Sequence, residues 1–139
     1  MCGPLIKRGM KVTAKSILAT ALSFIGEKVD GSDYADLAVF WLNILLQEAL
    51  PTENSIRAHS GKPILNEAPE IESIDDGIDY AGSITRIALP YGIASFVYAN
   101  EDDLNQAADN RNKYIAALDE AMKLKETPIV DVYGEYDNA

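Results

Sequence analysis

The chain of 139 residues is 47% hydrophobic and 24% charged, proportions typical of one folded domain and unlike those of disordered or fibrous chains. Its 22 acidic and 12 basic residues give a formal charge of -10, which repels phosphate backbones and anionic headgroups and therefore disfavours generic binding of nucleic acid or membranes. The single cysteine, Cys2, excludes an intramolecular disulfide, and the longest apolar stretch is too interrupted to span a membrane.

The sequence divides into an arm, a helical domain and a tail. Residues 1–12 carry Lys7 and Arg8 but lack the apolar region of a secretory signal, so we expect a flexible N-terminal arm. Residues 13–125 are predicted to form one all-α domain with four helices arranged like a bundle. Residues 126–139 are predicted to be an extended C-terminal tail.

Two helices are predicted in the first part of the domain. Apolar residues at helical spacing indicate a first helix over residues 13–28, with Thr13 as its N-cap and Gly26 near its end. A second helix is predicted to end before Pro51, because proline disfavours helical geometry at the preceding residue. This helix is apolar around most of its circumference, so we expect it to be the central element. Trp41 could be a recognition aromatic, but an aromatic in such a stripe is more often part of the core.

A long loop is predicted over residues 51–74, in which segments 63–65 and 71–74 could pair as a small β-hairpin. An acidic run begins in this loop. It could indicate paired carboxylates or calcium ligands, but it lacks the ligand order of an EF-hand. A solvated face is the better interpretation. The run contains Glu67, Glu70, Glu72, Asp75, Asp76 and Asp79.

Two further helices are predicted after the loop. The third begins within residues 75–79 and ends at Asn100, with a kink expected at Leu89, Pro90, Tyr91 and Gly92. Asp103 followed by Gln106 predicts a capping-box start for a fourth helix that runs to Lys125. The predicted core is made of Leu18, Leu22, Ile25, Phe40, Trp41, Ile44, Leu45, Ile87, Phe96, Tyr114, Ile115 and Leu118.

The sequence does not assemble the residues that catalysis requires. His59 is the only histidine and lies in the predicted loop, and no Ser-His-Asp or Cys-His arrangement can be built around it. No cluster of His and Cys residues has the spacing of transition-metal ligands, and no glycine-rich phosphate-binding loop is present in the sequence. We therefore expect a protein that is not an enzyme and that has no cofactor and no metal.

Four short motifs follow one another in residues 75–136. They are Leu89-Pro90-Tyr91-Gly92-Ile93-Ala94, the acidic break over residues 100–103, a long helix with Tyr114, and Val130-Asp131-Val132-Tyr133-Gly134. Together they resemble the head-to-tail connector, or adaptor, proteins of tailed bacteriophages. The resemblance implies a structural virion protein that forms a homo-oligomeric ring of about twelve subunits at the neck, after assembly in the host cytoplasm. DNA would pass through the ring without specific binding, which the acidic charge suits.

The resemblance also implies that the C-terminal tail binds the portal protein, a neck or tail protein, or an adjacent subunit. The candidate docking residues are Ile129, Val130, Val132, Tyr133 and Tyr136. A frayed terminus is the alternative for this segment. Two alternatives remain for the whole chain: a neck stopper or tail-completion protein, a class that is usually rich in strands, and a small non-viral helical protein-interaction module.

Overall fold

The computed structural model describes residues 11–26 and 34–131, and their side chains up to residue 123. In this part of the chain, four α-helices and one two-stranded sheet form the fold. The prediction of an all-α, bundle-like domain with a small sheet is therefore confirmed. Residues 1–10 of the predicted arm lie outside the described residues.

The small sheet joins the start of the domain to its long loop. Strand β1, Val12–Thr13, pairs antiparallel with strand β2, Gly77–Ile78. The segment that follows β1 is helix α1, Ala14–Ile25, and the Thr13 side chain accepts a hydrogen bond of 3.2 Å from the Ser16 N–H, as its predicted capping role requires.

Loop carbonyls complete the cap of α1. The N–H groups of Ala14 and Lys15 donate to the carbonyls of Asp76 and Ile74, at 3.0 and 2.7 Å. The first turn of a helix has N–H groups without partners inside the helix, and here the loop supplies the acceptors. The start of α1 is thereby fixed to the loop.

Helix α2 spans Ala35–Ser60 and passes through Pro51, so the predicted end before this proline is wrong. Pro51 has no N–H to donate to the carbonyl one turn earlier, which weakens the helix at that point. The helix nevertheless continues because Thr52, Glu53 and Arg57 beyond the proline are buried in tertiary contacts. Gly61 ends α2 with a φ of 83°.

The loop is therefore shorter than predicted and begins after α2. Segments 63–65 and 71–74 form no strand with each other in the described chain, because their main-chain groups bond instead to side chains of α2 and to α1. The third helix does not begin within residues 75–79, because Gly77–Ile78 pairs with β1.

A π-helical turn, Ile84–Ala88, precedes helix α3, Leu89–Asn100. The Leu89 N–H donates to the Ile84 carbonyl, five residues earlier, which is the spacing of a π-helix. Pro90 lies in the first turn of α3, where a missing N–H is tolerated. The residues of the predicted kink thus form the start of α3, and the irregular geometry lies directly before them.

Helix α4 spans Leu104–Asp131. Its start confirms Asp103 as the cap, since the Asp103 carboxylate accepts a hydrogen bond of 3.2 Å from the Gln106 N–H. The reciprocal bond of the predicted capping box does not form, because the Asp103 N–H donates instead to the Tyr98 carbonyl at 2.9 Å. The backbone of residues 126–131 is helical, where an extended tail was predicted, because extending an existing helix needs no new nucleation, and Pro128 gives up only its own N–H bond. Residues 132–139 lie outside the described part of the chain.

Helix α3 makes the most extensive helix–helix packing and contacts each of the other three helices, while α2, the expected central element, also contacts all three but less extensively. Gly92 permits this packing: a Cβ atom there would lie 2.8 Å from both methyl carbons of Leu45 and 3.2 Å from a ring carbon of Tyr114. Among the predicted core residues, Leu18, Leu22, Leu45 and Tyr114 are buried. A second group is partly buried against them: Ile25, Trp41, Phe96 and Leu118.

Four predicted core residues are instead exposed: Phe40, Ile44, Ile87 and Ile115. The reason is clearest in α2, which is apolar on more than one side. Leu42, Leu45 and Leu46 point into the core, so the neighbouring apolar stripe of the same helix is left at the surface.

Candidate functional site

Two asparagines of α2 clamp the loop over residues 61–83. The Asn54 amide donates to the Leu65 carbonyl at 2.9 Å and accepts from the Leu65 N–H at 2.8 Å. Asn43, three turns earlier, does the same with the carbonyl and N–H of Ile71, at 3.0 and 2.9 Å. Each side chain thus satisfies both main-chain groups of one loop residue, as a neighbouring strand would. The five residues between these two points form a braced loop, residues 66–70.

A buried ion pair holds the two ends of the long loop. The Arg57 guanidinium lies 2.6 Å from the Glu53 carboxylate and donates to the carbonyls of Pro63 and Asp79. The second Glu53 oxygen accepts from the Ala81 N–H at 2.7 Å. The hydrogen bond with Glu53 raises the pKa of Arg57. Because both charges have several partners, the pair is satisfied despite its burial.

The acidic run is spread along this loop and does not converge on one point. Asp79 contacts Arg57, whereas the Asp76 carboxylate accepts from the N–H groups of Glu72 and Ser73. Glu67 and Glu70 are exposed in the braced loop, as the prediction of a solvated face requires. In the described part of the chain, no group of three or more His, Cys, Asp or Glu residues could hold a metal ion.

An apolar face lies on the outer side of α2 and α4. Leu37, Phe40 and Ile44 follow one another at helical spacing on α2, with exposed fractions of 36%, 66% and 47%. Ile115 on α4 is 48% exposed. Contiguous exposed apolar residues are typical of protein–protein contact sites. We call these four residues the apolar face.

The ion pair between Glu48 of α2 and Arg111 of α4 shows that Ile44 and Ile115 lie side by side. The pair is bidentate, at 2.9 and 3.1 Å, and the Tyr114 hydroxyl lies 3.4 Å from the Leu45 carbonyl, so α2 and α4 run antiparallel. Ile44 and Ile115 are each one turn from this pair in the same direction. They therefore lie at the same level of the two helices.

The apolar face has an acidic rim. Asp36 and Glu72 line a shallow surface cavity of about 310 Å³ together with Phe40 and Val39. The braced loop lies beside it, because Asn43 of the same helix clamps Ile71. Apolar residues and carboxylates thus form one continuous surface.

A second feature is a basic cleft of about 650 Å³ between β1, the start of α1 and the π-helical turn. Lys11 and Arg86 contribute its two cationic groups, and Thr13, Ser16 and Thr20 line it with hydroxyl groups. None of the described residues that line the cleft carries a carboxylate. The sequence did not indicate this site, since its two basic residues are far apart in the chain and looked scattered.

The residues singled out in the sequence lie in different places. Leu89, Pro90 and Gly92 are buried where α3 begins, and Tyr91 stacks on Phe24 with ring centroids 4.8 Å apart. His59 is exposed in the last turn of α2.

Of the predicted docking residues, Ile129 and Val130 lie on the helical backbone of α4, and their side chains are outside the described ones. Val132, Tyr133 and Tyr136 lie outside the described residues.

No protein-family model, curated protein or solved structure matches the chain. Among the described residues, no helix is both long and apolar enough to cross a membrane.

Proposed function

We propose that this protein is a structural subunit of the ring that joins head to tail in a tailed bacteriophage. The observation that carries the proposal is the apolar face on α2 and α4, which exposes Phe40, Ile44 and Ile115 on a domain that already has a closed core. Leaving large apolar side chains in water is unfavourable, and burial against another protein subunit removes that cost.

The resemblance of residues 75–136 to connector proteins supports the same function. Its motifs coincide with packing features, since Gly92 lets α3 approach α2 and α4, and Tyr114 is buried at that crossing. The helical fold favours an adaptor over a stopper, which is usually rich in strands. The charge of -10 suits a channel that releases DNA.

In this proposal the apolar face packs against the adjacent subunit, and the C-terminal residues Val132, Tyr133 and Tyr136 bind the portal or a neck protein. Deleting residues 132–139 should leave the helices folded, by circular dichroism, and prevent co-sedimentation with portal rings. Unchanged co-sedimentation of the shortened protein would assign portal binding to another surface.

The decisive experiment locates the protein in particles. Antibody labelling and electron microscopy of phage from cells that produce this protein should place it at the head–tail junction. Label on the tail tip, on the capsid shell or on no particle at all would contradict the proposal. A monomer that is absent from particles would favour the small helical interaction module.

The role of the apolar face is tested by Phe40→Asp with Ile44→Asp. Both side chains are exposed, so we expect a folded protein with weakened self-association in analytical ultracentrifugation. Leu104→Asp is the matched control, because Leu104 is 68% exposed at the start of α4 and lies outside the face. Equal effects of the control and the double variant would show that the face has no special role.

A further inference from the structure

We propose that the basic cleft of one subunit binds the braced acidic loop of the next subunit, so that the ring closes through two different surfaces of the same chain. This inference rests on the proposed function and specifies which two surfaces of adjacent subunits are in contact. The contact joins Lys11 and Arg86 on one copy to Glu67 and Glu70 on the other.

The charges of the two surfaces are complementary. Lys11 and Arg86 are exposed, and the ion pairs found among the described residues include neither of them. Glu67 and Glu70 are likewise exposed and take part in none of those pairs. In a chain with a charge of -10, a cleft with two cationic groups and no carboxylate among its described lining residues is a local exception. Such complementarity selects a partner and its orientation.

The loop has the properties of a preorganised ligand. Asn54 and Asn43 hold it at Leu65 and Ile71, and Pro69 restricts the backbone between the two glutamates. A segment that is already ordered loses little conformational entropy on binding. The cleft, at about 650 Å³, is large enough to take in the side chains at the tip of such a loop.

The loop of one subunit is unable to occupy its own cleft. Its clamps fix it along α2, where Glu67 and Glu70 line a cavity with Asn43 and Gln47. The cleft lies between β1, α1 and the π-helical turn, and none of its described lining residues belongs to the loop. Among the described residues, the acidic loop of a second copy is therefore the occupant that the chain itself provides.

Each charged surface has apolar residues beside it. The acidic surface includes Phe40, which shares a cavity with Glu72. Next to Arg86 lies Ile87, which is 51% exposed on the π-helical turn. The two surfaces can thus bury apolar area as well as pair charges. Because they differ from each other, the contact is head-to-tail, which is the kind that generates rings.

The test is a charge exchange in the full-length protein. Lys11→Glu with Arg86→Glu reverses the cleft, and Glu67→Lys with Glu70→Lys reverses the loop. Each double variant alone should self-associate about tenfold more weakly than the wild type in analytical ultracentrifugation, because attraction becomes repulsion. An equimolar mixture of the two variants should recover wild-type association, since every contact in an alternating assembly then joins opposite charges.

The control for the cleft variant is Lys62→Glu with Lys123→Glu, which makes the same change in net charge away from the cleft and should leave association unchanged. Raising the ionic strength from about 0.05 M to about 0.5 M should weaken the wild-type contact and the rescued mixture alike.

The inference is overturned if the mixture fails to recover association, if either reversed variant associates like the wild type, or if the wild type stays monomeric. These results leave the proposed function to the particle labelling, which reports on location independently. Label at the head–tail junction, combined with a mixture of variants that does not recover association, would support the connector function and exclude this contact between subunits.

Discussion

The Tyr80 hydroxyl donates a hydrogen bond of 2.7 Å to the carbonyl of Leu46, five residues before Pro51. Pro51 leaves the carbonyl of Gln47 without its helical donor, and Tyr80 bonds the carbonyl of Leu46 directly beside it. Tyr80 itself is buried, so its hydroxyl needs a partner there. The loop thus stabilises the helix at its weakest point.

Replacing Tyr80 with phenylalanine removes this donor and little else. We expect the free energy of unfolding to fall by about 1 kcal/mol, because one buried hydrogen bond is lost and the Leu46 carbonyl loses one of its partners. Urea denaturation followed by circular dichroism measures the change. Tyr98→Phe is the matched control, because Tyr98 is only partly buried. A loss as large in the control would assign the effect to something other than this bond.

Stability should also fall at high pH. Burial, with Glu53 nearby, raises the pKa of Tyr80 from 10.0 to about 12. Above pH 10 the unfolded tyrosine loses its proton while the folded one keeps it, so the folded state binds more protons. The contribution of this pKa difference to the free energy of unfolding is present in full below pH 10 and is lost as the pH rises to about 12. Tyr80→Phe should flatten the decline in urea midpoint over this range, and an unchanged slope would contradict the assignment.

Gly92→Ala tests the close approach of α3 to α2 and α4. An added methyl group would overlap Leu45 at 2.8 Å, so we expect a loss of about 1 to 3 kcal/mol and a lower melting temperature. The same substitution at Gly82, where no atom lies within 4 Å of the added carbon, serves as the control. That variant should be as stable as the wild type or slightly more stable, since alanine restricts the unfolded chain.

Arg57→Met separates a buried ion pair from an exposed one. It leaves Glu53 charged and buried without its guanidinium, which should cost about 3 to 5 kcal/mol. Arg111→Met breaks the more exposed pair with Glu48 and should cost about 1 kcal/mol or less. Thermal and urea denaturation of both variants gives the comparison. Similar losses in the two would show that the Glu53 carboxylate finds other partners.

The two clamps should act on their own ends of the braced loop. Asn43→Ala should speed hydrogen exchange of the Ile71 amide and leave that of Leu65 nearly unchanged, whereas Asn54→Ala should do the reverse. Exchange measured by NMR on both variants reports each amide separately. Loss of protection at both amides from either change would mean that the loop opens as one unit.

Local signals in the sequence predicted the ends of helices but not all of their continuations. Thr13, Gly26 and Asp103 mark helix ends through bonds with near neighbours, which a sequence pattern can reveal. Continuation through Pro51 could not be predicted in this way, because it depends on partners of Glu53 and Arg57 that lie more than twenty residues away.

For the candidate surfaces too, local patterns in the sequence are informative, whereas contacts between distant residues cannot be predicted from them. Periodicity identified Leu45 and Tyr114 as core, yet it could not decide which side of α2 meets α3, because that helix is apolar on several sides. Periodicity alone therefore predicts Phe40 and Ile44 as core, although they are exposed. The asparagine clamps and the basic cleft bring together residues from distant parts of the chain, for which composition and spacing give no signal.

The clamps at Leu65 and Ile71 bind only main-chain atoms, so their hydrogen bonds do not depend on which side chains lie between them. Mutations within residues 66–70 can therefore accumulate, or a foreign peptide can be grafted there, while both anchors keep their bonds. Selection can thus alter the surface of this segment without passing through misfolded intermediates. The domain separates the evolution of this surface from the evolution of its stability.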